Sequence, residues 1–364
     1  MPPQQILFQI TVLLSTEGRS QKAVKRSHYS NLNTNLRFIQ GLIMSNAKFY
    51  IGPMSKNIVD SIIEFSTETG NKIGFIPSRR QVDYNGGYVN NWTTQQFSEY
   101  VNDRVLIQRD HGGPGQGYFD DNGIESFKND ATHFNMIHID PWKKYPKYED
   151  GLRHTIESIE YINNINSDVL FEVGTEESIR HFSPEELGKL LYDLSNFLSP
   201  QAFQNVKYAV VQSGVGLDLG KGINTRTFDE NRLYKMVNIC KEYDILSKEH
   251  NGDYLTNEEI KKRFSVGLDS INIAPEFGQM ETMCYLSNMN GNIDEYYNIC
   301  LESRRWVKWV DKDFIPADNK EELIKICGHY VLSDDRFKSI KPDIDLKIKQ
   351  TIKEKLKDLY NAIG

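Results

Sequence analysis

The chain has 364 residues, 39% of them hydrophobic and 11% aromatic, which is enough for a large core and too much for intrinsic disorder. Its 43 Lys and Arg against 50 Asp and Glu leave a net charge of −7, which opposes attraction to phosphate backbones and excludes nucleic acid as a first choice of partner. No run approaches the ~18 apolar residues of a membrane span. The four cysteines (Cys240, Cys284, Cys300, Cys327) lack CxxC or zinc spacing, so free thiols in a reducing, cytoplasmic setting are expected.

In chain order, residues 6–14 are apolar but broken by Gln9 and Thr11, with no basic residue before them, so they do not read as a signal peptide. Residues 1–44 read as a loosely ordered polar extension, with Met44 an alternative start. Eight short apolar runs follow, at 48–51, 72–76, 105–108, 134–139, 169–173, 208–211, 244–246 and 270–274. Each has the length of a strand buried on both faces. Helical patterns lie between them. Ile58, Ile62 and Phe65 share one face; Leu152, Ile156, Ile159 and Ile162 share another. Leu187, Leu190, Leu191 and Leu194 form a third, opened by the capping sequence Ser183-Pro184-Glu185-Glu186. Strands alternating with helices imply parallel pairing through right-handed crossovers. Eight such units predict an α/β fold, a closed (β/α)₈ TIM barrel over 45–335, with an open doubly wound sheet as the alternative. Residues 336–364 repeat Ile and Leu among lysines and read as an exposed C-terminal helix.

Polar residues capable of chemistry stand just past the runs: Ser78-Arg79-Arg80, Asp110-His111, Asp140, Thr175-Glu176, Gln212, Glu249-His250 and Asn272. A barrel brings all strand ends to one mouth, whereas an open sheet strings them along an edge. Asp110, Glu176 and Asp140 are the candidate catalytic carboxylates. Asp110 beside His111 offers a base and a metal ligand on adjacent, oppositely directed side chains, and the glycines after them allow close approach of a ligand. His111, Glu176 and His250 form a candidate divalent-metal set, Zn or Mn rather than Ca. His138 sits in mid-strand and is set aside with His133, His154 and His181. Residues 215–222 carry three glycines and Lys221, which suits either a phosphate cradle or a mobile loop. Arg79 and Arg80 suit a substrate carboxylate or phosphate; the alternative is an ion pair to Asp83 and one solvated side chain. Gln81, Gln212, Lys221 and Asn272 complete the substrate-binding candidates.

Several blocks then carry a resemblance. They are Gln81-Val82-Asp83-Tyr84-Asn85-Gly86-Gly87-Tyr88 with Trp92-Thr93, Asp110-His111-Gly112-Gly113-Pro114, Ile137-His138-Ile139-Asp140 and Val173-Gly174-Thr175-Glu176. Val210-Val211-Gln212-Ser213-Gly214-Val215, His250-Asn251-Gly252-Asp253-Tyr254 and Ile271-Asn272-Ile273-Ala274-Pro275 continue the series. In this order, over residues 48–290, they resemble the tagatose-bisphosphate aldolase accessory-subunit (GatZ/KbaZ) family. The resemblance implies a TIM barrel related to the class II, metal-dependent ketose-bisphosphate aldolases. It implies Asp110 as acid/base, His111 as metal ligand and Asn272 as a substrate contact. It also implies that two aldolase metal ligands are replaced, one by Glu176 and one by Gln212, with His250 able to rebuild a site. Such proteins are described both as stabilising partners of a catalytic aldolase subunit and as metal-dependent ketose 4-epimerases. The implied activity is retro-aldol cleavage or epimerisation of a phosphorylated or acidic sugar, in a homo-oligomer or a complex with an aldolase subunit. The alternative is a non-catalytic stabilising subunit. Arg79-Arg80 departs from the family's small polar residues and turns the expectation towards an acidic sugar.

Overall fold

The computed structural model of the chain describes residues 47–289 and 291–364. The readings of residues 6–14, of 1–44 as an extension and of Met44 as a start lie outside the described residues. Eight strands form the barrel: β1 (Phe49–Ile51), β2 (Ile73–Phe75), β3 (Leu106–Gly112), β4 (Met136–Ile139), β5 (Leu170–Val173), β6 (Val206–Val211), β9 (Leu246–Glu249) and β10 (Ser270–Ile273). A hairpin of β7 (Gly216–Asp218) and β8 (Ile223–Thr225) is inserted after β6. Every barrel pairing is parallel, and β1 pairs with both β2 and β10, so the sheet closes on itself and the open-sheet alternative is excluded. The helices are α1 (Lys56–Thr69), α2 (Thr94–Val101), α3 (Ile124–His133), α4 (Tyr148–Ile165), α5 (Pro184–Phe197), α6 (Pro200–Gln204) and α7 (Glu230–Glu242). After them come α8 (Asn257–Ser265), α9 (Pro275–Leu286), α10 (Ile293–Ser303), α11 (Lys320–Cys327), α12 (Asp335–Ile340) and α13 (Asp345–Ile363).

Strand alternation sorts the core. Phe49, Ile51, Ile137, Ile139, Phe171, Val173, Ile271 and Ile273 face outward and join the helix-packed cluster. At the opposite phase, Tyr50, Leu106, Met136, Leu170 and Tyr208 fill the barrel floor as a separate apolar cluster. One step further towards the C-terminal ends, the inward positions turn polar: Gln108, His138, Glu172 and Lys248 are all fully buried. The barrel therefore has an apolar floor and a polar upper layer beneath its mouth.

The C-terminal helix is not an exposed appendage. Ile348, Ile352, Leu356 and Leu359 of α13 are buried, and the helix packs against α1, α8 and α9. The Tyr360 ring lies 5.1 Å from Phe49 and 5.7 Å from Phe65, so one face of α13 covers the outside of the barrel. Its lysines explain the misreading: Lys349 and Lys353 reach across to Glu64 and Glu68 of α1 and clothe the seam in charge. Leu356→Ala should cost about 2–5 kcal/mol in urea unfolding; a loss below ~0.5 kcal/mol, the size of a surface change, would mean the helix is not docked.

The same seam contains a pH-sensitive group. Glu281 of α9 is buried, accepts hydrogen bonds from Ser55 and from Asn57 (2.9 Å), and shares Asn57 with Asp345 of α13 (3.1 Å). Burial raises its carboxyl to about 7, against the pull of Ser55 and Asn57. A raised folded-state value means that the neutral group favours the fold: this contribution is complete below the unfolded value near ~4.5 and fades as pH rises through about 7. Wild-type stability should therefore fall relative to Glu281→Gln across that window, measured by urea midpoints; parallel curves would contradict it.

Candidate active site at the barrel mouth

The site begins with an irregularity in β3. Its register against β4 shifts between Arg109 and Gly112, and His111 takes φ +44°, a left-handed conformation unfavourable for a residue with a side chain. In a regular strand Asp110 and His111 would point to opposite faces. The bulge instead turns both towards the barrel mouth, correcting the expectation of oppositely directed side chains. Arg109 anchors the bulge from outside through a fully buried ion pair to Asp130 (2.6 and 2.8 Å) and bonds to the carbonyls of Pro77 and Val82. Gly113 follows at φ +130°, a conformation that leaves its carbonyl free to accept from Arg79.

Three imidazoles then meet. The ring centroids of His111, His138 and His250 are 5.0, 5.1 and 5.2 Å apart, and one ligand atom from each, with one from Asp110, lies within 4.8 Å of the others. Each ring is held from behind by an acceptor. His111 Nδ1 is 2.6 Å from Asp140, whose carboxylate also receives the Thr175 hydroxyl (3.1 Å). His138 Nε2 is 3.0 Å from the Gly174 carbonyl. His250 Nε2 is 2.6 Å from Glu172, and Glu172 is in turn bound by Lys248 (2.6 Å) and Gln108 (2.7 Å). Such outer partners fix the orientation of an imidazole and raise its basicity as a ligand.

Charge follows the same pattern. Burial pushes the Asp110 carboxyl up, but His111, His138 and His250 outweigh it and hold the group at about 2. Burial pushes His111 down, and Asp110 and Asp140 lift it to about 10. Glu172 resists the upward push of burial through Lys248, His138 and His250, and stays well below the usual range. Two groups nevertheless remain unsatisfied. Asp110 Oδ1 and both amide atoms of Asn272 are buried with no hydrogen-bond partner among the described residues, a state that costs about 1–3 kcal/mol per group unless a ligand relieves it. Two atoms bound to one ion at ~2.1 Å stand at most ~4.2 Å apart, so the cluster needs only a small contraction to hold one. Three imidazoles fit a divalent ion such as Zn or Mn, with the Asp110 carboxylate standing beside it.

Other sequence-chosen residues fall in several places. Glu176 stays outside the four-residue group; it accepts from Ser178 (2.5 Å) and acts on His111 only by its charge. Asp140 stands behind His111 rather than against the cavity. Gln81 and Arg80 line a cavity of about 590 Å³ that also contains Asp110, although Gln81 spends its amide on Ser78 and Met54. Arg79 does not face a ligand: its guanidinium is bound by Asp83 (2.9 Å), Asp121 (2.6 and 2.7 Å) and the Gly113 carbonyl (3.0 Å). Gln212 is likewise consumed, bonding Phe182, Thr175, Arg180 and Arg232. Lys221 stands exposed on the β7–β8 hairpin, 3.7 Å from Asp218, in a neighbouring groove. Of residues 215–222, Gly216–Asp218 pair with Ile223–Thr225 and the rest form the start and turn of that hairpin. Arg79→Ala should thus act on stability, at about 3–5 kcal/mol for breaking a buried pair. A normal unfolding midpoint with weakened substrate binding would restore Arg79 to the binding site.

Sequence reasoning passed over His138, Glu172 and Lys248. Their signal was present: each lies at the inward phase of its strand, two residues beyond a floor residue, namely Met136, Leu170 and Leu246.

No protein-family model matches this chain, and no curated protein matches its sequence. Solved structures do share its fold. One is a probable tagatose 6 phosphate kinase from Sinorhizobium meliloti 1021, at 15% identity and TM-score 0.69, covering 87% of this chain and 100% of that one. A second is the fructuronate-tagaturonate epimerase UxaE from Cohnella laeviribosi, at 12% identity and TM-score 0.59, covering 88% of this chain and 82% of that one. A third is the YdjI aldolase from Escherichia coli K12, at 14% identity and TM-score 0.51, covering 90% and 97%. At these identities the likeness is one of fold. Among the described residues, no helix is long and apolar enough to cross a membrane.

Proposed function

We propose that this chain is a divalent-metal-dependent enzyme of the class II aldolase-like group, related to the tagatose-bisphosphate aldolase accessory subunits. It acts on a phosphorylated or acidic sugar by retro-aldol cleavage or epimerisation. The reading is carried by the convergence of His111, His138 and His250 beside Asp110, whose Oδ1 is buried without a hydrogen bond and lies 3.8 and 3.9 Å from His111 and His138. A divalent ion held by the three imidazoles would supply Lewis-acid polarisation of a substrate oxygen. The remaining roles belong to the protein. Asp110, kept ionised by the neighbouring imidazoles, is the carboxylate placed to take a proton from a sugar hydroxyl or from the carbon beside a carbonyl. Asn272 offers both a donor and an acceptor to orient a sugar hydroxyl. Asp140 and Glu172 act as positioning residues for His111 and His250. A pure scaffold has no need of four converging ionisable groups beneath a cavity, which favours the enzyme over a stabilising subunit. A screen of ketose phosphates and uronates with and without chelator tests this. Turnover that disappears with chelator and returns with Zn or Mn is expected. Chelator-insensitive turnover would overturn the reading, as would a metal-loaded protein inert towards the whole panel.

A further inference from the structure

The cavity that Asp110 lines is also lined by cations outside any ion pair among the described residues, with Asp140 and Glu176 acting on the group only through their charge. Arg80, Arg305 and Lys308 line it, and Lys143 stands beside it against the 115–118 loop that Arg80 and Arg305 also reach. The hydrogen bonds of three of them go to neutral oxygens: Arg80 to the Gly117 carbonyl (3.3 Å), Lys143 to the Gly115 carbonyl (3.2 Å) and Arg305 to the Tyr118 hydroxyl (2.6 Å). Lys308 lies 4.0 Å from the Trp309 ring centroid. Among the described residues none of the four is in an ion pair. This is unusual in a chain with an excess of 50 acids over 43 bases.

Arg305 is also fixed in position. Arg305 lies over the rings of Tyr118 (4.6 Å), Tyr330 (5.5 Å) and Tyr88 (5.7 Å), which hold a guanidinium without cancelling its charge. Arg304 ends α10 at φ +53°, and the chain then returns along the mouth against the β7–β8 hairpin. There Gly220 comes so near that a Cβ would sit 2.1 Å from the Trp309 carbonyl. Like charges held together this way remain costly until an anion joins them.

We infer that Arg80, Lys143, Arg305 and Lys308 form a receptor for a phosphate dianion, carried on the end of the substrate remote from the histidine cluster. Arg80, Arg305 and Lys308 share one cavity and Lys143 stands against the loop beside it, a supply of cations that suits the tripod of oxygens on a phosphate ester better than a single planar carboxylate. The inference rests on the function proposed above only for what fills the other end of the cavity. Residues 304–309 lie beyond the region of family resemblance, so this receptor is a feature of this chain.

The test is calorimetric titration of inorganic phosphate and of acetate into the full chain, with metal content measured on every sample. Phosphate should bind at least tenfold more tightly than acetate. Arg80→Gln and Lys308→Gln should each weaken phosphate by roughly ten- to hundredfold, the loss of one charge-assisted contact, with metal content unchanged. Lys308 touches little besides Trp309, so its variant remains informative if Arg80→Gln fails to fold. Equal affinities for phosphate and acetate would overturn the receptor, as would unchanged phosphate binding in both variants. Loss of phosphate binding in Lys221→Gln instead would move the anion to the hairpin and also overturn it. Failure of the metal-dependent reading would appear separately, as absent metal in a protein that still binds phosphate.

Discussion

Asp110→Asn should lower turnover by roughly 10²–10⁴-fold, the range associated with losing a positioned general base, while leaving bound metal in place. The asparagine keeps the shape of the side chain, and the bulge that aims it is set by backbone and by the Arg109–Asp130 pair, neither of which changes. Three imidazoles remain to retain the ion. The loss should fall on kcat, because removing a proton acceptor affects the reacting state more than binding. Activity assays alongside metal analysis separate the possibilities. Simultaneous loss of metal would make Asp110 a ligand, and unimpaired turnover would remove it from the chemistry altogether.

Lys248→Met should destabilise the fold by about 3–5 kcal/mol in urea unfolding, the cost of stranding a buried charge. Lys248 is fully buried, lies 3.7 and 4.1 Å from the ring centroids of Tyr50 and Tyr208, and neutralises Glu172 at 2.6 Å. Methionine fills similar space but leaves Glu172 charged in a closed interior. Combining it with Glu172→Gln should recover part of the stability, since no charge is then left unpaired. The double variant would still disturb His250, whose ring rests on Glu172 at 2.6 Å. If Lys248→Met unfolds like wild type, the polar layer is not the closed network described here.

Seven of the eight barrel strands were legible because their runs are apolar and their spacing admits a helix between each pair; the seventh run, read at 244–246, meets the observed strand Leu246–Glu249 only at Leu246, because the outward positions of that strand, Ser247 and Glu249, are polar. The inward faces were harder to read. His138 looked like a core residue because Ile137 and Ile139 flank it, yet those two point at the helices and His138 points into the barrel. Alternation alone could have flagged it, since Gln108, His138, Glu172 and Lys248 share that inward phase. Arg79 and Gln212 were misjudged for another reason. The ion pair to Asp83 was the alternative reading and is present, but Asp121 lies 42 positions from Arg79 and Arg180 lies 32 from Gln212, so those partners could not be assigned before the fold was known. The bulge at His111 was invisible too, because a left-handed histidine has no signature of its own in sequence. The tail was obscured by its lysines, which carry ion pairs over a seam whose apolar side spans Ile348 to Leu359.

The most direct test is metal analysis of the purified full chain beside two variants, His138→Ala and Glu176→Ala. One divalent ion per chain is expected in the wild type and in Glu176→Ala, and a loss of at least tenfold in affinity in His138→Ala, where one of three imidazoles is gone. Metal retained by His138→Ala but lost from Glu176→Ala would contradict the account and return the site to the ligand set suggested by sequence.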